Sequence, residues 1–197
     1  RAWMENQYLG RGELKLEWLT PENCKGLICL SGGPLGIIER LLMGKTPEEA
    51  DAVTEQLKKA FPGRLYLEVQ RAGRKGDDAL VAKMAGHSVA QKLPLVATHP
   101  VQFLKKEDFT AHEVRVCIAQ GYVLADPKRP REYTPQQYFK TEEEMRELFS
   151  DIPQALENTV VIAQRCNLDG VLQKPQLPVF PTPDGMSLDD YMVKLSK

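Results

Sequence analysis

The chain has 197 residues, of which 42% are hydrophobic and 27% charged, and its formal net charge is -1. This length allows one sizeable hydrophobic core with a small appended segment. The near-neutral charge disfavours a domain that grips nucleic acid by electrostatics, and no apolar run approaches the length of a membrane span. The four cysteines are scattered without a CxxC pair, which indicates reduced, mostly buried thiols in a cytoplasmic protein.

Strand and helix patterns alternate through the first half of the chain. The predicted elements are a strand at 26–30, helices at 35–44 and 47–60, a strand at 64–69, a helix at 78–91 and a strand at 93–98. Thr46 and Glu49, on either side of Pro47, have the spacing of a capping box for the second helix. Regular alternation implies parallel strands joined by crossover helices, and therefore an α/β fold.

The alternation stops after residue 105. A helix is predicted near 108–120, a second after the capping box of Thr141 and Glu144, and a third from Pro153. The inward face of the third helix is predicted to hold Leu156, Thr159, Ala163 and Cys166. A segment with four prolines, 172–185, is typical of an extended linker. Ser187 and Asp190 then begin a helix of about two turns, so we expect the chain to be a fragment of something longer.

Three histidines are the first candidates for a metal site. His87 and His112 fall within predicted helices, where we expect surface or capping positions rather than ligands. His99 follows the strand at 93–98, and parallel α/β folds place their sites at the carboxyl ends of strands. Its neighbours Pro100 and Gln102, however, supply no anionic or imidazole ligand, which disfavours a metal there.

Two glycine-containing loops and a basic stretch are the other candidates. Glu68 precedes a loop that could hold phosphate, and Ser31 precedes two glycines that could form a backbone nest. Neither spacing matches the P-loop or the dinucleotide fingerprint, no acid or base is visibly paired with the serine, and solvated turns are favoured. Whether the basic side chains contact phosphate is left open; they are Arg71, Arg74, Lys75, Lys128, Arg129 and Arg131.

Several stretches carry a family resemblance that periodicity does not supply. They are LICLSGG, VATHPVQFLKKEDFTAHEVRVCI, the segment from Asp126 to Cys166, and LPVFPTPDGMSLDDYM. Together they resemble the alpha subunits of bacterial DNA polymerase III, in the latter part of the amino-terminal PHP (polymerase and histidinol phosphatase) domain. The resemblance covers roughly residues 22–195, and DPKRPREYTPQQY is similar to the proteobacterial branch.

This resemblance implies an α/β fold that is the latter portion of a distorted (β/α)7 barrel. Residues 1–125 would form the partial barrel, 126–170 its helical extension, and 171–197 a linker towards the polymerase thumb and palm. The parent would perform template-directed DNA synthesis with Mg²⁺ bound in a palm that lies outside this chain. No cofactor is expected within the chain itself.

The family's metal-ligand positions can be compared one at a time. Metal-binding members read LSGC and VATNDxHY, in which the cysteine, the aspartate and the histidine are ligands. The corresponding residues here are Gly33, Pro100 and Gln102. His99 stands one position out of register, and adjacent side chains of a strand point to opposite faces. The resemblance therefore implies a degenerate metal site with no catalytic residue.

The leading interpretation is a non-catalytic scaffold that docks the proofreading exonuclease subunit and other holoenzyme subunits, and that contacts DNA only through its parent. An alternative is an active metal-dependent phosphoesterase or 3′–5′ exonuclease that uses His99 and Glu68 with upstream ligands. A third hypothesis is a nucleic-acid contact through Lys128, Arg129 and Arg131.

Overall fold

The computed structural model describes residues 7–8, 10–12, 14–44, 46–168 and 180–196, and the chain divides into two compact units, Arg1–Arg165 and Cys166–Lys197. The strands are β1 (Gln7–Tyr8), β2 (Arg11–Gly12), β3 (Cys29–Leu30), β4 (Leu65–Gln70) and β5 (Leu95–Thr98). The helices are α1 (Ile37–Met43), α2 (Pro47–Ala60), α3 (Asp77–Gln91), α4 (Phe109–Gln120), α5 (Glu142–Leu148), α6 (Pro153–Arg165) and α7 (Leu188–Leu195). Within these ranges, no helix combines the length and apolar character that a membrane span needs.

A parallel sheet with the order β3-β4-β5 forms the centre of the first unit. Cys29 is opposite Leu65, and Leu67 is opposite Leu95, so the three strands run in the same direction. The first two strands form a separate antiparallel hairpin. The α/β class with parallel strands is confirmed, whereas the assignment to the latter portion of a distorted (β/α)7 barrel stays a prediction.

The core surrounds β4, which is the central strand. Its residues Leu65, Tyr66, Leu67 and Val69 are all buried, as is typical of a strand covered on both faces by helices. The remaining apolar side chains of this core come mainly from α1, α2, α3 and the start of α6: Ile38, Ala50, Leu57, Ala60, Leu80, Val81, Met84 and Ala155.

Helix α2 has the bounds that the sequence predicts, but its start differs from the prediction. The Thr46 side chain makes no capping bond, because its hydroxyl donates instead to the Leu41 carbonyl at 3.2 Å. The capping box predicted with Glu49 is therefore wrong. The box predicted at Thr141 is confirmed, since Thr141 Oγ1 accepts from the Glu144 amide and Glu144 accepts from the Thr141 amide.

Helix α6 covers the edge strand β5. Asn158 Nδ2 donates to the Leu95 carbonyl at 2.8 Å, which satisfies an acceptor on the open side of the sheet. The predicted inward face of this helix is only partly right, because Ala163 and Cys166 are exposed and Ala155 is buried. At the carboxyl end of the helix, the Arg165 guanidinium donates to the Tyr66 hydroxyl of β4 at 2.7 Å.

His87 and His112 are buried, so the prediction of surface or capping positions is wrong. His87 Nε2 lies 2.8 Å from Thr54 Oγ1, and its Nδ1 lies 3.5 Å from Asp51 Oδ1. The ring of His112 packs edge-on against Tyr133, with 4.7 Å between the ring centroids. Burial lowers the pKa of both imidazoles, and both rings act as packed, neutral side chains.

The predicted linker falls largely outside the described residues, since nothing is described between 169 and 179. In the second unit, Pro183–Gly185 form a 3-10 turn, and α7 begins after Ser187. Ser187 Oγ accepts from the Asp190 amide at 3.1 Å, so the predicted helix start is confirmed.

Arg71 joins the loop after β4 to the turn between α5 and α6. Its guanidinium donates to both carboxylate oxygens of Asp151, at 2.6 and 2.8 Å, and to the Leu148 carbonyl at 2.7 Å. The same group lies 5.2 Å from the ring centroid of Phe149, which is fully buried. A planar donor of this kind holds the helical extension to the sheet in one orientation.

We expect Arg71→Met to lower the free energy of unfolding by roughly 1–2 kcal/mol, because hydrogen bonds from a charged donor are lost. The loss is not larger, because Asp151 is exposed and solvent weakens its ion pair with Arg71. Urea unfolding of the chain measures this. The control is Arg146→Met. Arg146 and its partner Glu142 are both 72% exposed, so this substitution should not change the free energy of unfolding measurably. The Asp151 pKa is lowered by Arg71, so the contribution of this pair is present at neutral pH and is lost in acid. Equal effects of the two substitutions would contradict the assignment.

Candidate functional site

Polar side chains from all three parallel strands meet at the carboxyl ends of the sheet. Ser31 directly follows β3, Glu68 and Gln70 lie in the last half of β4, and Thr98 ends β5. Because parallel strands end at the same edge, these side chains are neighbours in space. This is the edge where the sequence analysis places the candidate site.

The carboxylate of Glu68 is at the centre of this edge. Its Oε1 accepts a hydrogen bond from the Thr98 hydroxyl and a second from Gln70 Nε2 at 2.9 Å. Gln70 Oε1 in turn accepts from Arg74 Nη2 at 2.9 Å, and Arg74 Nε is 3.1 Å from Asp77 Oδ1. A continuous set of hydrogen bonds therefore runs from β5 across β4 to the start of α3.

Ser31 extends the same set of bonds to β3 and α1. Its amide donates to the Tyr66 carbonyl at 3.0 Å, and its hydroxyl accepts from the Glu68 amide at 2.8 Å. The hydroxyl then donates to Glu39 Oε1 on α1. The acid paired with this serine was missed from the sequence, although Glu39 lies between the inward residues Ile38 and Leu42 and so faces the core.

Glu39 is an unusual side chain for this environment. It is 0% exposed, and its second carboxyl oxygen, Oε2, is buried without a hydrogen-bond partner. Burial raises the pKa of Glu39 to about 7, the Ser31 hydrogen bond opposes this, and the nearby charge of Glu68 adds to it. The group is neutral over most of the acidic range.

The three positions that the resemblance assigns to metal ligands lie around this edge. Gly33 is buried with φ of +56°, and a Cβ placed on it would be 3.0 Å from Gln70 Nε2. The Gln70 amide therefore occupies the space into which a side chain at position 33 would project. A residue other than glycine would also strain the left-handed backbone.

Pro100 and Gln102 are engaged through their backbones. The Pro100 carbonyl accepts from Gln137 Nε2 at 3.2 Å, and the Gln102 amide donates to the Gln137 carbonyl at 2.8 Å. The next residue, Phe103, forms a parallel bridge with Tyr138. The segment after β5 therefore pairs with the helical extension, and the Gln102 side chain is exposed.

His99 and Glu68, on which the phosphoesterase alternative depends, have different partners. His99 Nε2 lies 2.9 Å from the Gln136 carbonyl, and burial lowers the pKa of its imidazole, so the neutral ring donates there. Within the described part of the chain, no group of three or more His, Cys, Asp and Glu side chains is arranged to hold a metal ion. That Gly33, Pro100 and Gln102 leave the site without metal stays a prediction.

The candidate phosphate-binding cations separate into two groups. Arg71 pairs with Asp151 and Arg74 with Asp77, and Arg129 Nη1 contacts the buried carboxylate of Glu113. Both members of this last pair are less than a tenth exposed, so Arg129 holds its loop to α4 and is poorly placed for DNA. The other three candidates, Lys75, Lys128 and Arg131, are exposed.

Comparison with known proteins supports the resemblance seen in the sequence. Residues 1–72 match the family model described as the PHP domain. The chain is 51% identical over 185 residues to the DNA polymerase III subunit alpha of Neisseria meningitidis serogroup A, 93% of this chain and 16% of that protein. It is 46% identical over 198 residues to that of Pseudomonas fluorescens, 100% of this chain and 17% of that protein.

The corresponding protein of Escherichia coli K12 is 47% identical over 181 residues, 92% of this chain and 15% of that protein. The resemblance to DNA polymerase III alpha subunits is thus confirmed over nearly the whole chain. The chain spans about a sixth of the length of the curated relatives it matches.

A cysteine restored at position 33 should not create a metal site. We expect Gly33→Cys to lower the free energy of unfolding by roughly 1–2 kcal/mol for the left-handed backbone. Displacement of Gln70 from Glu68 should cost about 1 kcal/mol more. Gly121→Cys is the matched control, because Gly121 has φ of +74° with nothing within 4 Å of its Cβ position. Urea unfolding and elemental analysis measure both effects, and a stoichiometric metal in Gly33→Cys would contradict the expectation.

Proposed function

We propose, from its close relationship to DNA polymerase III alpha subunits, that this chain is a non-catalytic scaffold segment of a cytoplasmic replicative polymerase. The parent protein performs template-directed DNA synthesis with Mg²⁺ in a palm domain outside this chain. The chain supplies the later strands of a distorted (β/α)7 barrel, followed by a helical extension and a linker. The similarity over 92–100% of the chain supports this assignment.

One observation carries the non-catalytic part of the proposal. At the carboxyl ends of the sheet, the polar side chains are bonded mainly to one another rather than directed into an open site. A hydrolytic metal site needs several converging ligands, one open position and a bound water. The Ser31 hydroxyl is engaged on both sides within this cluster, because it accepts from the Glu68 amide and donates to Glu39.

The experiment uses the full-length polymerase subunit. We expect less than stoichiometric zinc or manganese after dialysis, and no phosphoesterase or 3′–5′ exonuclease activity above a matched preparation of His99→Ala. The control removes the imidazole that the phosphoesterase alternative requires and that contacts the Gln136 carbonyl. Stoichiometric metal together with activity that is lost on chelation would overturn the proposal and support the phosphoesterase alternative.

The scaffold is further proposed to dock the proofreading exonuclease subunit of the polymerase, and helix α4 offers a surface for this. The outer side of α4 and the residues that follow carry a strip of exposed apolar side chains, which we call the α4 strip. It consists of Val114, Ile118, Tyr122 and Val123. The adjoining face of the helix is buried at Cys117 and held by the Glu113–Arg129 pair, so the strip lies on an anchored helix. An exposed apolar strip on an anchored helix is typical of a protein-binding surface.

Charge substitution on the α4 strip tests this docking. Ile118→Asp in the full-length subunit should weaken capture of the purified exonuclease subunit at least tenfold, since an unpaired carboxylate would be buried at the contact. Val89→Asp is the control, because Val89 on α3 is 80% exposed and Ile118 is 78% exposed. Equal capture by both variants would exclude the strip, and failure of the unsubstituted subunit to bind would exclude the docking itself.

A further inference from the structure

The loop between β3 and α1 is held to the sheet through one buried acid. Ser31 O and Glu39 Oε2 both lie against Gly36, where a Cβ would collide with the two oxygens, so only glycine allows this approach. Glu39 Oε1 accepts from the Ser31 hydroxyl, and that hydroxyl accepts from the Glu68 amide on the central strand. The carboxyl of Glu39 thus joins the start of α1 to β3 and β4.

Among the described residues around Glu39, none supplies a paired positive charge. Glu68 faces it from β4 and Cys29 from β3, and neither can neutralise a carboxylate. Arg40 on the same helix donates to the Gly36 carbonyl at 3.3 Å, and Lys83 of α3 donates to the Leu42 carbonyl at 2.6 Å. No described cation forms an ion pair with Glu39, so an ionised carboxyl would be buried next to a second carboxylate.

We propose that Glu39 is a proton-operated latch: its neutral acid form holds the Ser31–Gly36 loop on the carboxyl ends of the sheet, and loss of its proton releases that loop. Burial of the neutral form needs one acceptor for its O–H, and the Ser31 carbonyl beside Oε2 is available on the same face of Gly36. The ionised form must be hydrated, which requires the loop to move away from β4.

The direction of the pH dependence follows from linkage. The pKa of Glu39 is raised by burial from its ordinary 4.5 to about 7 in the closed state. Between these two values the closed state keeps its proton while an opened, hydrated carboxyl has lost it. Opening therefore becomes up to about tenfold more favourable per pH unit in this window, and it levels off above pH 7.

Cys29 provides a probe of the latch within the same molecule. It is half-buried on β3 beside Glu39, whereas Cys166 is exposed. Burial raises the pKa of Cys29 to about 11, so its thiol reacts poorly while the loop is closed. Both thiols react through their thiolate forms in the same sample, so the ratio of N-ethylmaleimide labelling at Cys29 to that at Cys166 follows loop opening.

The experiment is performed on the full-length protein, with labelling quantified by peptide mass spectrometry from pH 5 to 8.5. We expect the Cys29/Cys166 ratio to rise at least tenfold between pH 5 and 7 and to be constant above pH 7.5. Glu39→Gln, which is neutral at every pH and can donate to the Ser31 carbonyl, should give a low and constant ratio. Glu48→Gln, a substitution of the same kind at an exposed position of α2, should behave as the unsubstituted protein.

A constant ratio in the unsubstituted protein, or a rise that persists in Glu39→Gln, would overturn the latch. If Glu39→Gln fails to fold, the buried Cys24 and Cys117 become labelled as well, and Glu39→Met replaces it as the neutral variant. A rise in the unsubstituted protein that does not level off near pH 7 would also overturn the latch, because it would not fit a single acid with the pKa of Glu39.

Discussion

The carboxylate of Glu68, near the end of the central strand, needs hydrogen-bond donors. The donors that this chain supplies determine how the whole edge of the sheet is arranged. Thr98 supplies a hydroxyl from one neighbouring strand and Gln70 an amide from the same strand. The backbone amide of Glu68 binds the Ser31 hydroxyl from the other neighbour. The three parallel strands are thereby tied together at one point.

This internal arrangement has consequences for the loops above it. Gln70 bonds to Glu68 and Thr98 in the space beside Gly33, and a Cβ at position 33 would crowd its amide at 3.0 Å. The backbone of the segment after β5 pairs with Gln137 and Tyr138. We therefore interpret the edge as a structural joint between the sheet and the helical extension, which suits a scaffold within a large polymerase.

The sequence predicts most of the helices and strands because their signals are local. The bounds of α2 follow from its apolar period and Pro47, and the capping box at Thr141 uses residues three apart. The errors occur where the deciding partner is distant or competes. Thr46 has the right neighbours for a cap but donates to Leu41. His87 is buried because Thr54, thirty-three residues earlier, is beside it in space.

The candidate site could be predicted only in part from the sequence. A single comparison of motifs located Gly33, Pro100 and Gln102, and the structure places all three around the sheet edge. The acid that takes part in this edge, Glu39, was not singled out, because a glutamate on a short amphipathic helix is ordinarily solvated. The sequence marks Glu39 as buried only through its position between inward-facing residues. Its role becomes clear only from the structure, in which the Ser31 hydroxyl donates to it.

The central claim is that the polar side chains at the carboxyl ends of the sheet bond to one another and hold no metal. The most direct test is anomalous diffraction from crystals of the full-length subunit grown with millimolar Mn²⁺. The account predicts no anomalous peak within coordination distance of Glu39, Glu68 or His99, with Gln70 still bonded to Glu68. A fully occupied manganese peak at this edge, with Glu68 or His99 turned to ligate it, would contradict the account.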